Sequence, residues 1–104
     1  MTAGGTAEAE VTITHPTGLH ARPAVKFTKL AKTFAGADIR IRGGEGLPWV
    51  DAKSIVKVMA LKLRTGTLVQ LEAEGEDACS AILALKALIE RDFDERNADE
   101  DAPV

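Results

Sequence analysis

The sequence predicts a small α+β domain: an open-faced sandwich with a four-stranded, mostly antiparallel sheet covered on one face by three helices, in the order β-α-β-β-α-β-α. Three observations carry this prediction. Apolar and polar residues alternate in the short runs that read as strands, and apolar residues recur every three or four positions in the segments that read as helices. The connections include two helical crossovers and one glycine-rich loop suited to a hairpin. A chain of 104 residues, 45% hydrophobic and 28% charged, has the size and composition of one ordinary globular domain.

Each element has its own local reason. Residues 1–8 are small and polar and are expected to be a disordered lead-in to a domain over 9–94. "EVTIT" alternates, with Val11 and Ile13 on one face, as in a half-buried strand. "HPTG" reads as a turn, and Pro23 stands where a first-turn proline belongs. Phe27, Leu30, Ala31 and Phe34 then form the buried stripe of a helix, which Gly36 is expected to close in the C′ manner. In "ADIRIR", Ile39 and Ile41 point inward and Asp38, Arg40 and Arg42 outward. "GGEGLP" supplies the hairpin loop and "WVD" begins the return strand. Ser54 is the expected N-cap of a short helix bearing Ile55, Val58 and Met59. After the turn "RTGT", the run "LVQLEAEG" is the fourth strand. Asp77 is the expected cap of a last helix buried through Ala78, Ala81, Ile82, Leu85, Leu88 and Ile89. Residues 95–104 are acidic and aperiodic and are expected to be a disordered tail.

Composition narrows the function classes. No apolar run approaches the roughly 20 residues of a membrane span, so no membrane insertion is expected. The stretch "MTAGGTAEAE" has neither the basic nor the apolar region of a secretory signal. The single cysteine, Cys79, makes no internal disulfide, and a reducing cytoplasm is the expected location. The net charge of −3 conceals a split. Residues 11–66 carry ten Lys or Arg against Asp38, Glu45 and Asp51, whereas 67–104 carry eleven acidic residues against three basic ones. A basic front half predicts a surface that meets an anionic partner. Three Phe, one Trp, no Tyr and acidic ends speak against nucleic acid.

The chemistry concentrates in "THPTGLHARPAVKF", which holds both histidines, His15 and His20. His20 falls at the mouth of the first helix, where unsatisfied backbone N–H groups and the positive end of the helix dipole attract anions. Arg22 adds a guanidinium suited to phosphate oxygens. A neutral imidazole is a nucleophile at cytoplasmic pH, so this constellation suits a histidine that accepts a phosphoryl group. A cap or surface role is the plainer alternative for any single histidine near a helix start. For His15, before Pro16 at a strand end, a surface turn position is expected. No Cys, Asp or Glu lies between the two histidines to complete a metal site, and none is expected.

Three motifs in order, "GLHARPA" (18–24), "DAKSIVKVMAL" (51–61) and "EAEGEDA" (72–78), closely resemble HPr, the histidine-containing phosphocarrier of the phosphoenolpyruvate-dependent sugar phosphotransferase system. The resemblance extends over about residues 10–93. It implies an HPr-like fold and a carrier with a transient phosphohistidine rather than a free-standing enzyme, with no cofactor. It implies that His20 is phosphorylated on Nδ1, that Arg22 neutralises the phosphoryl oxygens, and that the backbone at Ala21, Pro23 and Ala24 holds the remaining charge. Enzyme I would be the donor and sugar-specific IIA domains the acceptors, with the carrier itself a monomer. The family's docking surface maps onto Ile55, Val56, Lys57 and Met59, with Lys29 and Lys32 as a basic rim. Helical spacing pairs Val58 with Ile55 and Leu61, which leaves Val56 as the exposed valine.

Ser54 has two compatible readings. One is the N-cap. The other, by resemblance, is the regulatory serine of HPr proteins from organisms with an HPr kinase/phosphorylase. The loop over 43–49 is longer than usual for the family and contains the bulky Trp49. Two alternatives stand beside the sugar carrier. One is an HPr-like carrier of a specialised relay, feeding a dihydroxyacetone kinase or a nitrogen-type regulatory system. The other is a non-catalytic regulatory protein-interaction module.

Overall fold

The computed structural model describes residues 5–16, 18, 19 and 21–94. The expectations placed on His20, on residues 1–4 and on the tail 95–104 lie outside them. The elements run β1 (Thr6–Thr12), α1 (Arg22–Lys32), β2 (Ala37–Arg42), β3 (Val50–Asp51), α2 (Ile55–Ala60), β4 (Leu68–Gly75) and α3 (Ala78–Glu90), followed by a tight turn over Asp92–Asp94. This is the predicted order. The sheet is ordered β1-β4-β2-β3, and every pairing is antiparallel.

One sheet face is apolar and the other polar, as strand alternation requires. Val11 from β1, Ile39 and Ile41 from β2, and Val69, Leu71 and Ala73 from β4 are buried under the helices. They meet Ala24, Phe27 and Ala31 of α1 and the six α3 residues named above, all buried. α3 packs across β1 and β4, and α1 lies against both α3 and α2. The opposite face carries charge. Arg40 bridges Glu72 at 3.2 Å and Glu74 at 3.4 Å. Arg42 stacks over the Trp49 ring at 4.3 Å and donates from Nε to Gln70 Oε1 at 2.5 Å, while Gln70 Nε2 donates to Glu10 at 2.7 Å.

Several boundaries differ from the sequence reading. β1 begins at Thr6, inside the segment 1–8 expected to be disordered, because Thr6, Ala7 and Glu8 continue the ladder opposite Glu74, Ala73 and Glu72. Ala7 and Ala9 lie half-buried against the core, so residues that look featureless in composition gain both backbone bonds and burial. α1 ends at Lys32 with Thr33 as its C-cap, not at Gly36. Its last turn tightens, with Thr33 N donating to Leu30 O at 3.0 Å and Phe34 N to Ala31 O at 3.1 Å. Gly36 is not left-handed, so it is no C′ glycine. Asp77 occupies the N-cap position of α3 without making a side-chain cap bond; its carboxylate lies against Gly36 instead. α2 stops at Ala60, and Lys62 beyond it is left-handed at φ 54°.

Gly75 closes β4 at φ +119°, and a Cβ there would overlap the Gly36 carbonyl oxygen. Gly66 is also left-handed, at φ +92°, but a Cβ would meet open space. Gly75→Ala is therefore expected to cost about 2–4 kcal/mol, from backbone strain and overpacking together, and Gly66→Ala only about 1 kcal/mol from strain. Urea unfolding of the two variants checks this, and equal losses would contradict it.

Candidate functional site

The segment that leads into residue 20 is held from outside by the loop before β4. Ile13 N donates to Thr67 O at 2.9 Å, and Gly66 N returns to Ile13 O at 2.7 Å. Thr65 Oγ1 donates to His15 O at 2.6 Å and to Pro16 O at 3.0 Å. Gly18 N closes a turn on His15 O at 2.9 Å, and Leu19 N donates to Leu63 O, also at 2.9 Å. Gly18 has φ +71°, and a Cβ on it would stand 2.5 Å from the Leu63 carbonyl oxygen, so only glycine fits the approach. Leu19 is fully buried and anchors the loop to the core.

His15 corrects the expectation of a surface position. It is 8% exposed, and its ring stands edge-on to Phe93, with centroids 5.8 Å apart and planes at 70°. Phe93 comes from the far end of the chain and is fully buried, a partner that no local pattern announces.

On the other side of residue 20 the helix start is unusual. Ala21, the N-cap residue, has φ 53° and ψ −123°, a conformation that L-residues rarely adopt. Alanine brings no side-chain oxygen, and the first turn contains no acidic residue. The positive end of α1 is therefore not neutralised by its own cap. Arg22 is exposed in this turn and Pro23 is buried beside it. Pro23 must be struck from the expected amide donors, because proline has no N–H; it supplies the fixed φ of a first turn. Ala21, Arg22 and Ala24 carry the amide hydrogens that the helix start can present. Ala24 itself is fully buried and its carbonyl accepts from Thr28 Oγ1 at 3.0 Å, which locks the turn against the core.

α2 lies against α1 and supplies the neighbouring surface. Ser54 is its N-cap, with Lys57 N donating to Ser54 Oγ at 3.3 Å and Val58 N to Ser54 O at 2.9 Å. Val58 is fully buried, Ile55 and Met59 are half-buried, and Val56 is 74% exposed beside exposed Lys57. The valine chosen by spacing is the one left outside. Lys29 and Lys32 are exposed in the last turn of α1, about 10 and 15 Å along the axis from Arg22 at 1.5 Å per residue. They complement the negative end of the helix dipole as well as forming the far edge of a basic face. A groove of about 620 Å³ lined by Glu8, Glu10, Arg42, Trp49, Gln70 and Glu72 lies on the exposed sheet face and shares no residue with this site.

Sequence reasoning missed the latch of Gly18 and Leu19 on Leu63, the clasp of Thr65 and the contact of Phe93. Of these only Phe93 left a trace, as a lone aromatic within the acidic run "RDFDE".

Comparison with known proteins gives the family and the fold. The family model described as "PTS HPr component phosphorylation site" matches residues 7–91. The phosphocarrier protein HPr of Buchnera aphidicola is 44% identical over 80 residues, covering 77% of this chain and 91% of that protein. The crystal structure of HPr from Thermoanaerobacter tengcongensis superposes with a TM-score of 0.79 at 42% identity, covering 86% of this chain and 97% of that one. A multiphosphoryl transfer protein of Xanthomonas campestris is 38% identical over 81 residues, which are 78% of this chain and 9% of that much longer one. With an HPr fold, an HPr family match over most of its length and HPr relatives matched nearly end to end, the chain belongs to the HPr family of phosphocarrier proteins of the phosphotransferase system.

Proposed function

We propose that this chain is a relay protein that takes a phosphoryl group from phospho-enzyme I onto His20 and passes it to IIA domains. The observation that carries the reading is the open start of α1. The residue directly after His20 is a strained alanine with no capping group, followed by an exposed Arg22 in a first turn without an acid. An anion brought there meets backbone N–H groups, the helix dipole and a guanidinium. Chemically, the imidazole Nδ1 lone pair attacks phosphorus as the bond to the donor breaks, and the same bond later breaks toward the acceptor. Phosphoryl transfer passes through a loose transition state, so alignment and charge stabilisation are the protein's main contribution. The multiphosphoryl transfer relative, in which a similar segment occupies a small part of a longer chain, supports a place in a multi-step relay.

In this reading α2 forms the docking surface. Val56 is a large apolar side chain left exposed next to Lys57, and Ile55 and Met59 extend the patch at half exposure. The cations of the helical side, Arg22, Lys29, Lys32 and Lys57, then steer acidic partner surfaces. Ser54 stands at the edge of this patch. A phosphate added there by an HPr kinase/phosphorylase adds about −1.5 to −2 charge where enzyme I would dock, while the N-terminus of α2 tolerates the anion.

His20→Ala is expected to abolish acid-labile, base-stable phosphate uptake from enzyme I and phosphoenolpyruvate with the far-UV spectrum unchanged, whereas His15→Ala still takes up phosphate. Labelling of the His20→Ala protein at the normal level would refute the assignment. Ser54→Asp is expected to raise the concentration needed for half-maximal transfer from enzyme I about tenfold, with transfer at saturation retained. An unchanged titration would leave Ser54 as a helix cap alone.

A further inference from the structure

We infer that the C-terminal turn Asp92–Phe93 is a positioning element for the phosphoryl-accepting histidine, an inference that rests on the phosphocarrier reading above. The turn lies beyond the family match, which ends at residue 91. Its contacts bracket residue 20 from both sides. Upstream, Thr14 Oγ1 donates to Asp92 Oδ1, and the His15 ring stands edge-on to Phe93 at 5.8 Å. Downstream, Lys26 Nζ, one turn into α1 from Arg22, donates to the Phe93 carbonyl oxygen at 3.1 Å. The loop before His20 and the helix after it are thus tied to one two-residue hook.

The hook has the marks of a geometric device rather than of a plug. Asp92 and Phe93 both adopt left-handed φ, 54° and 59°, although neither is glycine. Filling a core gap requires only an apolar ring, which an ordinary extended or helical backbone also delivers. The left-handed pair does something further. It turns the chain so that the Phe93 ring enters the core under His15 while the Asp92 carboxylate reaches Thr14 and the Phe93 carbonyl reaches Lys26. Strained backbone persists only where its surroundings over-determine it, and these surroundings are the two flanks of the reacting histidine. Phe93 and Asp92 act through Thr14, His15 and Lys26, so they are positioning residues and not catalytic ones.

A displacement of about 1 Å at a reacting atom costs up to a hundredfold in rate. Loosening the hook is therefore expected to lower the maximal rate of phosphoryl transfer while leaving docking intact, since the α2 patch is untouched. The test is rapid-quench transfer from phospho-enzyme I to the full chain, titrated to saturation, for Phe93→Ala, Phe93→Leu and Thr14→Val. Each is assayed well below its own melting temperature. Phe93→Ala is expected to lose at least about tenfold in saturating rate with an unchanged half-saturation concentration, Phe93→Leu to recover most of it, and Thr14→Val to lose a few-fold. Should Phe93→Ala fail to fold, Thr14→Val and Phe93→Leu carry the same comparison. Folded variants that melt earlier but transfer at the wild-type saturating rate would overturn the inference and leave the hook a core plug. A folded wild-type chain that accepts no phosphate would overturn the phosphocarrier reading itself, and the role of the hook with it.

Discussion

The sheet depends on the placement of β4, the last strand in the chain, between β1 and β2. Neither of those strands pairs with the other, so each obtains its long ladder only from Leu68–Gly75. The apolar sides of both crossover helices are then forced to the same face, because all inward residues of the three long strands point there. The loop that delivers the chain into β4 is also the loop that clasps His15, Pro16 and Leu19. A single insertion event in the topology thus organises the core and fixes the approach to residue 20.

The site inherits rigidity from that frame and electrostatics from what the helix start omits. Gly18 permits contact with Leu63 that any Cβ would block, and Leu19 fills the core directly behind it. Ala21 bears an unfavourable backbone conformation where Ser, Thr or Asp would ordinarily cap a helix. Leaving the first turn without a carboxylate keeps its field available to an incoming anion. The neighbouring α2 is short and owes its start to Ser54, so the exposed Val56 is held at a defined place by one cap and one buried valine, Val58.

The architecture was largely legible because it rests on periodicity. Every buried position expected for α3 is buried, and Val56 and Val58 divide as spacing dictates. Most of the misreadings share a cause: they concerned residues whose role is set by a distant partner. β1 extends back to Thr6 only because Glu74 stands opposite. Gly36 looks like a helix cap in isolation yet is none, and Asp77 stands at the N-cap of α3 with its carboxylate against Gly36 rather than on the helix start. His15 reads as a turn residue until Phe93 is brought beneath it. Pro23 illustrates a different lapse, since its missing N–H is a property of the residue itself. The proposal for His20 and Arg22 draws on chemistry and family motifs together, whereas the hook at Asp92–Phe93 left one aromatic among acids as its only sign.

The stacking of Trp49 on Arg42 has an optical consequence. The chain has one tryptophan and no tyrosine, so its near-ultraviolet emission comes essentially from a single indole. That indole sits on the exposed sheet face among Glu8, Glu10 and Gln70, on the opposite side of the sheet from α1 and α2. The molecule therefore carries a single built-in fluorophore, placed to report the β2–β3 hairpin coming apart. Its colour reports whether that edge of the sheet is intact.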